Sequence, residues 1–281
     1  LGASRGHGSR EGRLGLVRPD YSPARALLAA ARRHPDRCSL VDAVTGQEWS
    51  VREAADTVAR LAAAFVEAGI GEGTRIAVVG SNSPWHYIVH VAASWLRAVT
   101  VPLSPRMPSV SLASMCEQVG VTWAFLDEAS ATHATALSGA GAQVASFADL
   151  SAWTHRTAPT GQGPARCGTE LAAILFTSGS TGAPRPVELT HEVMWWGSAN
   201  FREGFDYAPA SSVVGVCAPV SHIGGFNGTS MDVWTHGGTL VTLGFPGSFD
   251  ARSVIDAIEY CGITMMFAVP AIMRALLDEY A

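Results

Sequence analysis

Residues 173–186 read Ala-Ile-Leu-Phe-Thr-Ser-Gly-Ser-Thr-Gly-Ala-Pro-Arg-Pro, and this stretch determines how the rest of the chain is interpreted. The apolar residues 171–176 predict a buried strand that runs directly into glycine and hydroxyl residues. Glycine lets backbone N–H groups turn toward an anion, Ser and Thr hydroxyls add donors, and Arg185 adds positive charge. The order therefore predicts a phosphate-binding loop after a strand, although a small polar surface turn has a similar composition.

The loop differs from the P-loop of NTPases, G-x-x-x-x-G-K-[ST], because no lysine follows Gly182. Lysine is absent from the whole sequence, so all 19 residues of the combined Lys and Arg count are arginines. An ordinary bias in composition accounts for this absence. It also means that these 281 residues cannot supply any lysine chemistry.

Strand and helix patterns alternate on both sides of the loop. A capping box, Ser50-x-x-Glu53, begins the clearest helix, whose apolar residues recur at helical spacing until Gly69. Short apolar runs predict strands at residues 38–42, 75–79, 99–102, 122–126, 171–176 and 263–269. Helices are predicted at residues 24–33, 84–96, 112–119, 190–201, 250–260 and from 270 onward. This alternation predicts an α/β fold with parallel sheets covered by helices.

Two stretches are predicted to lack regular structure. Residues 1–20 are rich in Gly, Arg and Ser and cannot bury enough surface to offset the entropy of ordering, which predicts a disordered tail. Residues 154–168 are polar and rich in Gly, Pro and Thr, which predicts a loop joining two halves of the chain or a domain boundary. Trp195 and Trp196 fall on a predicted helix and are expected to pack in the core.

Composition narrows the classes of function. Hydrophobic residues make up 48% of the chain, enough for a sizeable core. The formal charge of −5 argues against a nucleic-acid partner, since phosphate affinity comes mainly from basic surface. The five cysteines are an odd number without a C-x-x-C pair, which predicts no zinc site or disulfide framework and favours a reducing cytoplasm. The apolar runs are too short for a membrane span, and no signal peptide opens the sequence.

Residues 177–184 match, position by position, the signature [ST]-S-G-[ST]-T-G-x-P-K-G of the adenylate-forming superfamily, and Thr190-His191 fits the Thr-His that follows it. This superfamily includes acyl-CoA synthetases, luciferases and peptide-synthetase adenylation domains. Two positions depart from the signature, because Arg185 replaces the lysine and Pro186 replaces the glycine after it. The resemblance implies an ATP-binding set, listed here: Thr177, Ser178, Gly179, Ser180, Thr181, Gly182 and Arg185.

Other segments resemble the same family. Residues 75–84 and 99–105 look like its early strand with an Asn-Ser turn and its "AVxVPLNP" segment, where Arg97 stands in place of a common glycine. Residues 218–226 resemble the "PLFHIGG" segment, which implies that His222, Gly224 and Gly225 bind the substrate. A lone histidine is more often structural, and the glycines can simply form a turn.

Taken together, the resemblance implies that residues 21–281 are part of the large N-terminal AMP-binding domain, with the C-terminal domain absent. Family members activate a carboxylic acid, here a fatty or aryl acid, with Mg²⁺ and ATP, and then transfer the acyl group to CoA or a carrier protein. Their catalytic lysine and metal-binding carboxylates are expected beyond Ala281. No catalytic residue or metal ligand is therefore assigned, and the isolated chain is expected to have little or no ligase activity.

Two alternatives stay open. One is a non-catalytic remnant, or a subunit completed by a partner, that binds a nucleotide or acyl ligand; Arg185 and Pro186 favour it. The other is a peptide-synthetase-type adenylation domain, whose aspartate binds an amino group. Asp232 lies slightly late in the sequence for that role.

Overall fold

The computed structural model describes residues 21–177, 184–244 and 249–280. The helices are α1 Pro23–Arg33, α2 Val51–Glu67, α3 Pro84–Trp95, α4 Ser109–Val119, α5 Ala134–Gly139, α6 Phe147–Arg156, α7 His191–Phe205, α8 Ile223–Phe226, α9 Ser230–Thr235, α10 Ala251–Cys261 and α11 Pro270–Tyr280. The strands are β1 Cys38–Asp42, β2 Glu48–Ser50, β3 Arg75–Val79, β4 Val99–Leu103, β5 Trp123–Leu126, β6 Gln143–Ser146, β7 Leu171–Thr177, β8 Arg185–Thr190, β9 Val213–Val216, β10 Thr239–Thr242 and β11 Met265–Met266.

The strands of these ranges form two sheets. One has the order β6-β5-β3-β4-β7-β8 and the other β11-β9-β10-β1-β2. Neighbouring strands run parallel in both sheets except at one edge of each sheet. In the first sheet β8 runs antiparallel to β7, and in the second β2 runs antiparallel to β1. The predicted α/β fold of helix-covered parallel sheets is confirmed, with these two antiparallel edge strands as an addition.

A layer of helices joins the two sheets. Side chains of α2 and α3 pack in one apolar cluster with Ile76 of the first sheet and Leu40 of the second. Every residue of α3 except Trp85 is buried, as expected for a helix whose sequence is apolar on all sides. The two sheets are therefore held in a fixed relation by a shared core.

Three local predictions need correction. The loop predicted at residues 154–168 begins only after Arg156, because α6 continues to that residue. The helix starts at a capping box between Ser146 and Asp149, which the prediction missed. The strand predicted at residues 263–269 is confined to Met265–Met266, which pairs with β9 on one side. Trp195 and Trp196 are half-buried on α7 and not in the core, and Trp195 contacts the ring of Tyr21.

The cysteines, the helix lengths and the N-terminal tail bear on three further expectations. The five cysteines are free thiols. Within the described ranges, no helix combines the length and apolar character needed to cross a membrane. The predicted tail, residues 1–20, lies outside the described residues.

Candidate functional site

The predicted phosphate loop connects the antiparallel strands β7 and β8. Thr177 is the last residue of β7 and pairs in register with Arg185, the first residue of β8. The Thr177 hydroxyl donates a hydrogen bond to the Arg185 carbonyl at 3.4 Å, and both residues are exposed. The rest of the predicted ATP-binding set, Ser178, Gly179, Ser180, Thr181 and Gly182, lies outside the described residues.

Pro186 fits its position because β8 is the edge strand of its sheet. Proline lacks the N–H that a central strand would need for its second neighbour, and it is tolerated on an edge. Its register partner is Phe176 of β7. The departure from the family glycine is therefore compatible with the strand pairing observed.

The register of the sheet brings the loop to the same edge as residues 104–106. Thr100 of β4 pairs with Ala173 of β7, and the strands are parallel. Ser104 and Thr177 each lie four residues further along their strands than this pair, so both fall at the carboxyl edge. Ligands of parallel α/β sheets bind in crevices at this edge.

A cavity of about 250 Å³ opens at the carboxyl edge, between the two sheets. Three segments line it: residues 80–82 after β3, residues 104–106 after β4, and residues 217 and 219–222 after β9. Among the described residues, the lining includes Arg106 and His222 but no carboxylate. The positive charge of Arg106 suits this lining to a ligand that carries phosphate or carboxylate groups.

Asp127, which follows β5, holds the first lining segment, residues 80–82, by hydrogen bonds. Its carboxylate accepts hydrogen bonds from the N–H groups of Ser81 and Ser130, each at 2.8 Å. A Cβ atom on Gly80 would lie 2.9 Å from the Asp127 carboxyl carbon, so only glycine permits this approach. His86 is 3.1 Å from the Ser81 carbonyl, and burial lowers the pKa of His86 to about 4. The histidine is therefore neutral at pH 7 and donates from Nε2.

His133 fastens the second segment. Its Nε2 lies 3.1 Å from the Pro105 carbonyl and its Nδ1 lies 2.7 Å from the Ser109 hydroxyl. A carbonyl only accepts, so Nε2 donates to Pro105, while Nδ1 and the Ser109 hydroxyl share the second hydrogen bond. The turn that presents Arg106 to the cavity is thus tied to the start of α4.

Asn82 fastens the third segment, across the gap between the sheets. Its Nδ2 donates to the carbonyls of Val216 at 3.1 Å and Ala218 at 2.8 Å. Its Oδ1 accepts from the Val220 N–H at 3.0 Å. The side chain therefore uses two donors and one acceptor to hold residues 216–220.

The three predicted substrate-binding residues occupy the start of α8. His222 is exposed, lines the cavity and stands immediately before α8. Gly224 faces Phe267, whose ring would lie 3.0 Å from an added Cβ, beside a second cavity of only about 10 Å³. Gly225 approaches its own chain closely, since an added Cβ would lie 2.5 Å from the carbonyl oxygens of Ala218 and Pro219. The glycines thus permit tight packing of α8 against the cavity wall.

The Thr190-His191 pair begins α7. The Thr190 hydroxyl accepts a hydrogen bond from the Val193 N–H at 3.2 Å and caps the helix. His191 is buried, and its ring centroid lies 6.2 Å from that of His90. Burial lowers the pKa of His191 to about 4, so the ring is neutral at pH 7.

Asp232 is engaged in a structural cluster. The carboxylate is 2% exposed and accepts two hydrogen bonds from Arg202 and one from Tyr207 at 2.9 Å. His236 Nδ1 lies 3.2 Å from the same carboxylate. A carboxylate with these partners joins α7 to α9 and has little capacity left for a ligand amine.

The described residues contain no group of three or more His, Cys, Asp or Glu side chains placed to hold a metal ion. No residue of these ranges is therefore assigned to Mg²⁺.

Sequence reasoning placed Asn82 and residues 99–105 only in the fold and did not identify Asp127, His133 or Arg106 as part of the site. A general signal was present, because residues 80–82 and 104–106 directly follow predicted parallel strands, where ligand crevices form. The resemblance of residues 218–226 to the "PLFHIGG" segment indicated part of the third wall, but nothing local indicated that Asn82 would hold it.

The fold is that of the N-terminal domain of adenylate-forming enzymes. The N-terminal domain of FACL13 from Mycobacterium tuberculosis superimposes with a TM-score of 0.81 at 22% identity, covering 91% of this chain and 64% of that chain. O-succinylbenzoate Coenzyme A synthetase (MenE) from Bacillus subtilis, in complex with AMP, gives a TM-score of 0.79 at 19% identity, with the same coverage of both chains. The sequence matches the AMP-binding enzyme family over residues 27–281, and the chain belongs to this family.

Curated relatives are similar over most of this chain. A feruloyl-CoA synthase of an Amycolatopsis species is 26% identical over 231 residues, which is 82% of this chain and 45% of the relative. The fatty acid–[acyl-carrier-protein] ligase ScoC of Streptomyces coeruleorubidus is 27% identical over 226 residues, 78% of this chain and 43% of the relative. The chain thus spans less than half the length of these relatives.

Proposed function

We propose that the protein takes part in the ATP-dependent activation of a carboxylic acid, fatty or aryl, followed by transfer of the acyl group to CoA. Membership of the AMP-binding family, together with the signature at residues 177–184, carries this proposal. The relatives above differ in both the acid and the acceptor that their names state. Family membership therefore supports acid activation in general, and the fatty or aryl class of the acid and CoA as the acceptor are proposed in addition.

In the first half-reaction a carboxylate oxygen attacks the α-phosphorus of ATP, and the bond to the β-phosphate oxygen breaks. Acyl adenylate forms and pyrophosphate leaves; a thiol then attacks the acyl carbon and releases AMP. The protein acts mainly by positioning the reactants and stabilising charge. We assign phosphate binding to the loop between Thr177 and Arg185, with Arg185 offsetting phosphate charge, and contact with the acyl end of the adenylate to His222 at the cavity mouth.

Two features bear on the alternatives. The engagement of Asp232 by Arg202 and Tyr207 disfavours a peptide-synthetase-type amino-acid site built on that carboxylate. A non-catalytic nucleotide- or acyl-binding role draws support from Arg185 in place of lysine, because guanidinium and ammonium groups differ in shape and hydration. The proposed ligase function and the non-catalytic alternative share a nucleotide-binding loop. They differ in whether the pocket prefers the adenylate intermediate.

Isothermal titration calorimetry of this chain with ATP, AMP and a non-hydrolysable acyl-sulfamoyl adenosine tests the proposal. An adenylate-forming pocket should bind the adenylate mimic at least about tenfold more tightly than ATP, since enzymes favour species along the reaction path. Arg185→Ala should weaken ATP binding more than mimic binding, because the mimic lacks the β- and γ-phosphates.

Arg52→Ala is the matched control for this loss of charge. Arg52 lies on α2, is exposed and pairs with Asp36, so its removal should change neither affinity. Equal affinity for ATP and the mimic favours the non-catalytic alternative. Binding of neither AMP nor the mimic at millimolar concentration contradicts the proposal. In a separate assay, acid-dependent ATP–pyrophosphate exchange by the 281-residue chain should be negligible, since the sequence contains no lysine for the family's adenylation step.

A further inference from the structure

The side chain of Asn82 spans the two sheets at the cavity. Asn82 follows β3 in the first sheet, and its partners are Val216 at the end of β9 in the second sheet and the residues just after it. The three contacts, at 3.1, 2.8 and 3.0 Å, involve backbone groups 134 to 138 residues away in sequence. A single amide thus connects segments that are brought together only by the tertiary fold.

The backbone of Asn82 also lies close to a further segment of the second sheet. An added Cβ on Gly244, which follows β10, would lie 2.6 Å from the Asn82 carbonyl oxygen. The chain of the second sheet therefore approaches Asn82 closely from a different strand. The Asn82 amide therefore bonds to residues 216–220 at a point where the two sheets approach each other closely.

Only an amide side chain satisfies these contacts at this length. Asparagine offers two N–H donors and a carbonyl acceptor, whereas aspartate lacks the donors and alanine has neither. Loss of the side chain would release the Ala218 carbonyl and the Val220 N–H, both next to the cavity wall. Unpaired backbone groups at a partly buried site are costly, so the segment would move to find other partners.

We propose that Asn82 is a positioning residue that sets the place of residues 216–222, and with them His222, relative to the other two cavity walls. A wall held this way gives the cavity a fixed shape before a ligand enters, which favours binding and reaction of a positioned substrate. The identity of the ligand rests on the proposed function; the effect on the wall does not.

Cys217 provides a direct probe of the wall. It lies between Val216 and Ala218, is buried, and its Sγ contacts the Phe267 carbonyl at 3.4 Å. Burial raises the pKa of the Cys217 thiol to about 11, so its reaction with alkylating reagents is slow in the intact wall. Cys116 and Cys167 are also buried, distant in sequence, and report any general opening of the protein.

The experiment compares Asn82→Ala and Asn82→Asp with Asn227→Ala. Asn227 is a buried asparagine whose Nδ2 donates to the Met194 carbonyl at 2.9 Å, and it does not line the 250 Å³ cavity. Iodoacetamide labelling of each cysteine is followed over time by peptide mass spectrometry. Losing hydrogen bonds of ordinary strength should accelerate labelling of Cys217 about tenfold or more in both Asn82 variants. Labelling of Cys116 and Cys167 should stay unchanged, and Asn227→Ala should leave Cys217 at the wild-type rate.

Affinity for the acyl-sulfamoyl adenosine gives the second readout. It should fall about tenfold in Asn82→Ala and by less than about twofold in Asn227→Ala, although both variants lose thermal stability. Wild-type Cys217 labelling in a folded Asn82 variant overturns the proposal, as does an equal loss of affinity in Asn82→Ala and Asn227→Ala. Should the wild-type chain not bind the mimic, the proposed function fails, and Cys217 labelling alone decides the role of Asn82. Asn82→Asp keeps nearly the same volume and serves if Asn82→Ala does not fold.

Discussion

Replacing Gly225 by alanine should damage the wall of the cavity from the side of α8. The new Cβ would lie 2.5 Å from two backbone oxygens, those of Ala218 and Pro219, and 2.8 Å from the Pro219 carbonyl carbon. Real Cβ atoms stay at least 3.0 Å from such atoms, so α8 or the wall must retreat by 0.5 Å or more. Neither partner is a flexible side chain that could turn aside.

Hydrogen bonds oppose this retreat. The Gly225 carbonyl accepts from the buried Tyr87 hydroxyl at 2.5 Å and from the Ser230 hydroxyl at 3.0 Å. Overpacking costs about 1–3 kcal/mol and each weakened buried hydrogen bond about 1 kcal/mol. We therefore expect Gly225→Ala to lower the free energy of unfolding by about 2–5 kcal/mol.

Urea denaturation followed by circular dichroism measures this change, with Gly197→Ala as the control. Gly197 lies inside α7, and an added Cβ would meet only the Asn227 amide at an ordinary 3.6 Å. Alanine is favoured over glycine in a helix interior, so this variant should gain up to about 1 kcal/mol. If Gly225→Ala unfolds at the same urea concentration as the wild type, the close approach of α8 to residues 218–219 is wrong.

Three further outcomes follow from buried polar groups. Tyr87→Phe should cost about 1–2 kcal/mol in urea denaturation, because the Gly225 carbonyl loses a fully buried donor. Asp232→Asn should lower the free energy of unfolding by about 1–3 kcal/mol, less than for a wholly buried ion pair because Arg202 is 36% exposed. The control is Arg252→Ala, which breaks an exposed ion pair with Asp256 and should change the free energy of unfolding by less than about 0.5 kcal/mol in the same assay. Stability should also fall as the pH is lowered from about 6.5 toward 4. The cause is that burial strongly lowers the folded-state pKa of three histidines, so only the unfolded chain takes up their protons in this window, at about 1.4 kcal/mol per pH unit for each of them. These are His86 and His191, each with a pKa of about 4, and His90, with a pKa of about 3. Urea midpoints at pH 7.5, 6.0 and 5.0 check this direction, and a midpoint that rises on acidification contradicts it.

The strands that sequence patterns located best are those with continuous apolar runs. Residues 75–79 were predicted with the bounds that the structure gives to β3, because a buried parallel strand is apolar on both faces. Residues 38–42 also match β1, although Ser39 and Asp42 interrupt its apolar pattern. The edge strands β2, β6 and β8 escaped prediction, and so did the short central strand β9. The edge strands are short or half-exposed, with burial on few positions, so their sequences carry little periodic signal.

Arg97 illustrates a feature that a residue pattern cannot specify. Its φ is 58°, in the left-handed region where glycine is usual, and its guanidinium pairs with Glu72 at 2.6 Å. The resemblance to the family indicated a glycine at this point without giving the reason. The backbone conformation gives it, and the ion pair on the surface offsets only part of the strain.

The candidate site was predictable in its parts but not in its assembly. A phosphate-binding loop is predicted from residues 177–185 because glycine, hydroxyl and cationic residues are adjacent in sequence, and this stays a prediction. The cavity depends on Asn82, Asp127 and His133, polar residues whose partners are backbone atoms of other segments. Backbone partners leave no mark in the sequence of those segments, so pairings of this kind appear only in the folded chain.

The departures at Arg185 and Pro186 take on a specific meaning in this fold. Both residues belong to β8, whose pairing with β7 continues up to the Thr177–Arg185 pair at the mouth of the loop. Proline restricts its own backbone, and an edge strand does not need its missing N–H. Pro186 therefore restricts the backbone directly after Arg185 at a position where an edge strand tolerates proline. A glycine there would leave the cation on a more mobile segment, so the proline limits the conformations open to Arg185. Under the proposed role of Arg185 in phosphate binding, the two departures act together, because the proline restricts the backbone of the strand that carries the cation.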